Sequence, residues 1–114
     1  MSRLGLLALV LALAGAAGCA QRLPPIATTD DARRANVELA TLQEGRQLLL
    51  RKCGNCHRAP LPADHAAHEW PGKLDEMSAR ANLNPGQRRA IEQYLVAMAA
   101  AAPAPAAAEP PPRR

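Results

Sequence analysis

The strongest pattern of apolar and polar positions lies toward the C-terminal end of the chain. Apolar residues recur there at the spacing of one helix face: Ile91, Tyr94, Leu95 and Met98. Asn84 precedes this stripe as a candidate N-cap, with Pro85 at the first helical position and Gln87 at the capping-box position. The pattern therefore predicts a helix from about Pro85 to Ala101.

A second helical pattern lies in the middle of the chain. Thr41 and Glu44 have the spacing of a capping box, in which each side chain satisfies a backbone N–H at a helix start. The segment that follows, to about Lys52, has small and apolar residues on one face: Leu42, Gly45 and Leu49. We therefore expect a helix that begins at Thr41 and leads directly into Cys53.

Weaker signals indicate further helices. Pro71 suits the first turn of a helix that runs to about Ala79, and Leu74 and Met77 have the spacing to share its face. Helical signals also begin near Asp30, whereas no strand pattern or internal repeat occurs in the sequence. The predicted fold is all-α, with three to four short helices.

The N-terminal residues resemble an export signal. A basic start that includes Arg3 leads into an apolar run from Leu4 to Ala14, which is too short for a comfortable membrane span. The small residues that follow end at Cys19, as in a bacterial lipobox, so residues 1–18 are predicted to be a lipoprotein signal peptide. Acyl chains on Cys19 would then anchor the protein to a membrane. The alternative is a plain secretory signal that is cut near Ala17 or Ala20.

Composition divides the remainder of the chain. Residues 19–35 form the predicted lipid-modified cysteine and tether, and residues 36–101 the predicted domain. Pro and Ala dominate residues 102–114, which predicts a disordered or extended tail. Only 2% of the residues are aromatic, so a core of this size would be thin without a cofactor or another staple.

The motif Cys53-Gly54-Asn55-Cys56-His57 has the C-x-x-C-H form of a c-type haem attachment site. Two thiols one helical turn apart can each form a thioether with a porphyrin vinyl group, and His57 can then bind the iron axially. A thioredoxin-like motif would need a βαβ pattern, and a structural zinc site would need about four ligands. A simple disulfide would leave His57 unexplained. The motif therefore predicts one covalent haem c and its iron.

Several residues are candidates for the other side of the iron. Met77 is the predicted sixth ligand, because a thioether opposite histidine suits electron transfer. His65 or His68 would instead give bis-histidine ligation, and the sixth position could also be open. Trp70 is a candidate donor to a haem propionate, or else a core residue. The backbone carbonyl of Pro60 or Pro62 could accept from the other nitrogen of His57 and fix its orientation, although ordinary loop packing is the favoured interpretation of both prolines.

Taken together, the segment from Thr41 to Ala100 resembles the small class I cytochromes c. Gly45 matches the small residue of that family at the crossing of its N- and C-terminal helices, and Tyr94 matches the aromatic residue that packs there. The resemblance implies a cytochrome c-like fold around one haem. The short connection between His57 and Met77 departs from the family pattern, as does the absence of a proline after Met77.

The predicted function is electron transfer by a membrane-tethered periplasmic cytochrome, either as a free carrier or as the cytochrome subunit of a redox enzyme. Its partners would be redox proteins and the membrane, with Ala20 after Cys19 favouring the outer membrane. The protein would be a monomer or a subunit of a larger redox complex. A net charge of +4 without a basic stripe argues against nucleic-acid binding, and no catalytic constellation indicates an enzyme. The alternative is a haem-based sensor or ligand-binding protein.

Overall fold

The computed structural model describes residues 22–55 and 57–101, and this part of the chain is helical without strands. Four α-helices follow one another: α1 (Thr29–Ala35), α2 (Leu39–Cys53), α3 (Trp70–Arg80) and α4 (Pro85–Ala101). Two short 3-10 turns, Pro62–Asp64 and Ala67–Glu69, connect α2 to α3. The prediction of an all-α fold with three to four short helices is therefore confirmed.

The core lies where α2 packs against α4. Gly45 of α2 makes this packing possible: a Cβ atom at Gly45 would lie 2.7 Å from the Cβ of Tyr94 and closer still to the carbonyl oxygen of Ala90. The side chains that are fully buried around this crossing come from both helices: Leu42, Leu49, Ile91, Tyr94 and Leu95. The contact between Gly45 and Tyr94 is the one that the family resemblance implies.

The start of α2 differs from the prediction. The helix begins at Leu39 with Glu38 as N-cap and without a side-chain capping bond, so the predicted capping box at Thr41 is wrong. A capping box occurs instead at α1, where the Thr28 hydroxyl accepts from the Asp31 N–H and the Asp31 carboxylate accepts from the Thr28 N–H. Thr41 lies inside the first turn of α2, where the preceding residues Leu39 and Ala40 already extend the helix.

Packing also extends upstream of residue 36, where the sequence places the start of the domain. Pro24 and Ala27 are buried, and two side chains of the helical core hold this segment in place. The Arg46 Nε donates to the carbonyl oxygen of Pro24 at 2.8 Å, and the Tyr94 hydroxyl donates to that of Pro25 at 2.6 Å. The segment from Pro24 to α1 is thus part of the folded body.

The first turn of α4 is capped as predicted. The Asn84 Oδ1 accepts from the Gln87 N–H at 2.8 Å, and the Gln87 Oε1 accepts from the Asn84 N–H at 3.1 Å. One turn later Arg88 joins α4 to α3, because its guanidinium donates to the Pro71 carbonyl at 3.2 Å and to the Asp75 carboxylate at 2.5 Å. The sequence does not indicate this link, because an arginine on a half-polar helix face usually lies in solvent.

The predicted signal peptide, Cys19 and the predicted tail at 102–114 lie outside the described residues. Among residues 22–55 and 57–101, no helix is both long and apolar enough to cross a membrane.

Candidate functional site

Cys53 is the last residue of α2, and its side chain turns into the protein. It is 8% exposed and belongs to the buried cluster, one turn after the fully buried Leu49. The following Gly54 ends the helix, with its N–H donating to the Leu50 carbonyl at 3.2 Å. The apolar stripe of α2 thus places the first cysteine of the motif against the core.

Burial of Cys53 raises the pKa of its thiol. The cause is desolvation, which disfavours the thiolate because a buried charge loses its hydration. A zinc ligand or a reactive redox thiol needs the thiolate. A thioether sulfur is uncharged and suits an apolar surrounding, so the buried position of Cys53 is compatible with covalent attachment.

His57 is exposed, and its ring has a defined partner. The Nδ1 atom lies 2.9 Å from the carbonyl oxygen of Arg58. A carbonyl only accepts hydrogen bonds, so this contact favours a proton on Nδ1 and leaves the lone pair of Nε2 available for a metal. The carbonyl that contacts Nδ1 is thus that of Arg58 rather than that of Pro60 or Pro62, and the Pro62 oxygen accepts from Trp70.

The second cysteine of the motif, Cys56, lies outside the described residues. Within the described ranges on either side of it, no cluster of three or more His, Cys, Asp or Glu side chains is arranged to hold a metal ion. The described residues of the motif are therefore Cys53, Gly54, Asn55 and His57.

Trp70 is buried and already has a hydrogen-bond partner. Its indole N–H donates to the Pro62 carbonyl at 3.1 Å, and the residue is 3% exposed. The ring of His65 meets it edge to face, with ring centroids 4.9 Å apart. Trp70 thus ties the first 3-10 turn to the start of α3, which matches the core role that was its alternative to binding a propionate.

Met77 lies within α3 and is half-buried. It follows Trp70 by seven residues and Leu74 by three, and both of these side chains are buried, so Met77 belongs to the face of α3 that turns toward the protein. Met98 is 7% exposed and belongs to the core, in agreement with its place on the predicted apolar stripe of α4. His68 is exposed in the second 3-10 turn.

A small cavity lies beside the motif. It has a volume of about 210 Å³ and is bounded by the N-terminal residues Arg22 to Pro24 on one side and by Gly54, Arg58 and Ala59 on the other. The sequence does not indicate this proximity, because the polar, proline-containing N-terminal segment has the composition of a tether. The proline pair Pro24-Pro25 is the only signal of a fixed conformation there.

Comparisons of this chain with protein-family models, with curated proteins and with solved structures found no match.

Proposed function

We propose that this chain is a membrane-tethered, monohaem c-type cytochrome of the periplasm that transfers electrons. The observation on which this rests is the C-x-x-C-H motif at the end of α2, whose histidine is oriented through Nδ1 so that Nε2 is available. The lipobox-like sequence before Cys19 supports the tether, and haem c attachment requires the same export. The proposed partners are redox proteins, which the protein meets as a free carrier or as a subunit of a redox enzyme.

The described residues fit the proposed cofactor in two respects. Cys53 presents a buried, uncharged sulfur at the end of α2, and Cys56 has the sequence spacing for the second thioether. His57 would bind the iron through Nε2. When bound, haem iron supplies reversible exchange of single electrons.

The chain would tune that exchange through the group that holds His57 in place. The hydrogen bond from His57 Nδ1 to the Arg58 carbonyl fixes the plane of the imidazole ring, and it raises the basicity of Nε2 as a ligand. A more basic ligand stabilises the ferric state. Arg58 therefore acts on the reduction potential through its backbone, which a substitution of its side chain leaves in place.

We propose Met77 as the sixth ligand. Its support is that α3 turns Met77 toward the protein, together with Trp70 and Leu74. His65 is a weaker candidate because its ring packs on Trp70, and His68 is exposed. Methionine ligation raises the reduction potential relative to a second histidine.

A second candidate function is a haem-based sensor or ligand-binding protein. The observation that favours it is that Met77 lies inside α3, three residues before its end, rather than in a loop that can adjust toward the iron. A displaceable or open sixth site would then bind small gaseous ligands. Carbon monoxide added to the reduced protein distinguishes the two: slow or absent binding supports the carrier, and fast stoichiometric binding supports the sensor.

The proposed function is tested by expressing the full chain in a bacterium that has a haem c maturation system. We expect the denatured protein to retain a haem stain on a gel, in the membrane fraction, and to lose it when Cys53→Ala and Cys56→Ala are combined in one variant. Cys19→Ser is the matched control, which should keep the stain but move to the soluble periplasmic fraction. An unsubstituted protein that is exported but unstained contradicts the proposal.

A further inference from the structure

The N-terminal segment from Arg22 to Ala27 is fixed to the folded body. Pro24 and Ala27 are buried, and Arg46 and Tyr94 donate hydrogen bonds to the two proline carbonyls. The Arg46 contact joins the segment to α2 and the Tyr94 contact joins it to α4. A segment held at two helices presents its remaining side chains in a constant direction.

The side chains that this segment turns outward are apolar. Leu23 is 63% exposed and Ile26 is 70% exposed, and they are the exposed large hydrophobic residues of the described part of the chain. Their spacing of three residues equals that of the buried Pro24 and Ala27, as expected for an extended segment with three residues per turn. One side of the segment therefore packs on the body, and the other side offers two large apolar groups.

The predicted lipid attachment lies very close to this apolar pair. Cys19 precedes Leu23 by four residues, and four residues span at most about 14 Å when fully extended. A lipid chain on Cys19 therefore holds Leu23 within reach of the bilayer surface, because the segment that follows is fixed to the body.

The residues beside Leu23 and Ile26 carry positive charge, which anionic membranes attract. Arg22 and Arg58 are both exposed, and both border the small cavity next to Leu23. Bacterial and other membranes present anionic phosphate groups, which attract arginine near the surface. Apolar side chains flanked by arginine are the composition of surfaces that lie in the membrane interface.

We infer that Leu23 and Ile26 insert into the bilayer interface and that the body is held there in one orientation. This inference rests on the proposed lipidation of Cys19 and adds a second contact to it. The cavity that joins Arg22 to Gly54 and Arg58 places the C-terminal end of α2 at this membrane-facing side. The attachment motif would thus lie close to the membrane, where a membrane-bound redox partner can reach it.

The inference is tested with the mature lipoprotein in vesicles that contain anionic lipid. Under the proposed function its three cysteines are all thioethers, so an introduced cysteine is the single site for a spin label. Leu23→Cys and Ile26→Cys are the two test variants, and Lys73→Cys is the matched control, because Lys73 is exposed on α3. Collisions of the label with oxygen, which concentrates in lipid, are compared with collisions with a water-soluble nickel complex.

We expect the labels at 23 and 26 to lie about 5–10 Å into the interface, with oxygen collisions favoured, and the label at 73 to favour the nickel complex. The inference is overturned if all three labels behave alike in water. It is also overturned if labels 23 and 26 are shielded from both reagents, which indicates a second protein copy or the haem as the cover.

Two independent controls separate this inference from the proposed function. Flotation of the protein with the vesicles in a density gradient reports the lipid anchor, and the haem stain reports attachment. If the protein floats and stains but the labels at 23 and 26 lie in water, the proposed function stands and only the membrane contact of Leu23 and Ile26 is contradicted. If the protein does not float with the vesicles, the proposed lipid anchor and the inference that rests on it are both contradicted.

Discussion

Gly45 of α2 lies directly against Tyr94 of α4, and the two helices approach so closely that a methyl group has no room between them. A Cβ at Gly45 would meet the Tyr94 Cβ at 2.7 Å, and the Ala90 carbonyl oxygen at an even shorter distance. The obstacles are the main-chain carbonyl of Ala90 and the Cβ atom of Tyr94. Neither of them can move away by rotation of a side chain. The helix pair would have to separate to accept any larger residue.

We therefore predict that Gly45→Ala lowers the free energy of unfolding by about 1–3 kcal/mol or more, as for an overpacked core. Gly72→Ala is the matched control, because a Cβ there meets nothing within 4 Å. It should leave stability unchanged or raise it by up to about 1 kcal/mol through helix propensity. Urea unfolding of both variants measures the difference. Equal stability of the two variants would show that α2 and α4 do not cross at Gly45.

The Tyr94 hydroxyl tests whether the N-terminal segment belongs to the folded body. Tyr94→Phe removes its hydrogen bond to the Pro25 carbonyl and keeps the ring in the core. We expect a loss of about 0.5–1.5 kcal/mol of stability, and faster amide hydrogen exchange in residues 22–32. The exchange of α3 should not change. Unchanged exchange upstream of α1 would contradict the contact.

The sequence predicts contacts between residues that are close along the chain better than contacts between residues that are far apart in it. Gln87 caps α4 as predicted because the capping box is made within four residues. The docking of Pro25 under Tyr94 joins residues 69 positions apart, and no local pattern specifies such a contact. The burial of Cys53 follows from the apolar stripe of α2, whereas the partner of His57 does not follow from any periodicity.

The sequence alone does not show which group accepts the hydrogen bond from the Trp70 indole N–H. A buried indole N–H needs an acceptor, and either a haem propionate or a backbone carbonyl can accept its hydrogen bond. The structure supplies the Pro62 carbonyl, because the 3-10 turn returns the chain toward the first turn of α3. The composition of the loop, with two prolines, permits this return but does not specify it.

The Trp70→Phe variant separates these two roles. It removes the N–H donor and keeps most of the buried ring, so the Pro62 carbonyl loses its partner. We expect a loss of stability of about 1–3 kcal/mol, which reflects the smaller ring and the unsatisfied acceptor. The reduction potential measured by redox titration should not change. A clear shift in potential at constant stability would instead indicate that Trp70 contacts the haem.

The two methionines of the folded body give a matched pair for the sixth ligand. Met77→Ala should lower the reduction potential and open the iron to carbon monoxide, since a thioether ligand raises the potential. Met98 is buried in the core, so Met98→Ala should cost about 2–5 kcal/mol of stability and leave the potential unchanged. Redox titration, carbon monoxide binding and urea unfolding measure these effects. If the Met77→Ala protein keeps its potential, Met77 is not a ligand.

Asp31 makes the stability of α1 depend on pH, because it is part of the capping box of this helix. The hydrogen bond from the Thr28 N–H is the main cause that lowers the pKa of this carboxyl, with the Thr28 hydroxyl and Arg34 as further causes. A group whose pKa is lower in the folded state stabilises it above the unfolded value, here 3.8. That contribution is lost as pH falls through the lower folded value.

We therefore predict that Asp31→Asn is less stable than the unsubstituted protein at pH 7 and that the two converge as pH falls below the lowered pKa of Asp31 in the folded state. Asparagine keeps an acceptor for the Thr28 N–H, and it removes the charge together with the oxygen that accepts from Arg34. Asp30→Asn is the control, because among the described residues the Asp30 carboxylate contacts the exposed Arg33 alone, and exposed pairs contribute little. Thermal unfolding followed by circular dichroism across this pH range tests the prediction. A constant difference between Asp31→Asn and the unsubstituted protein at all pH values would rule out the charge as its cause.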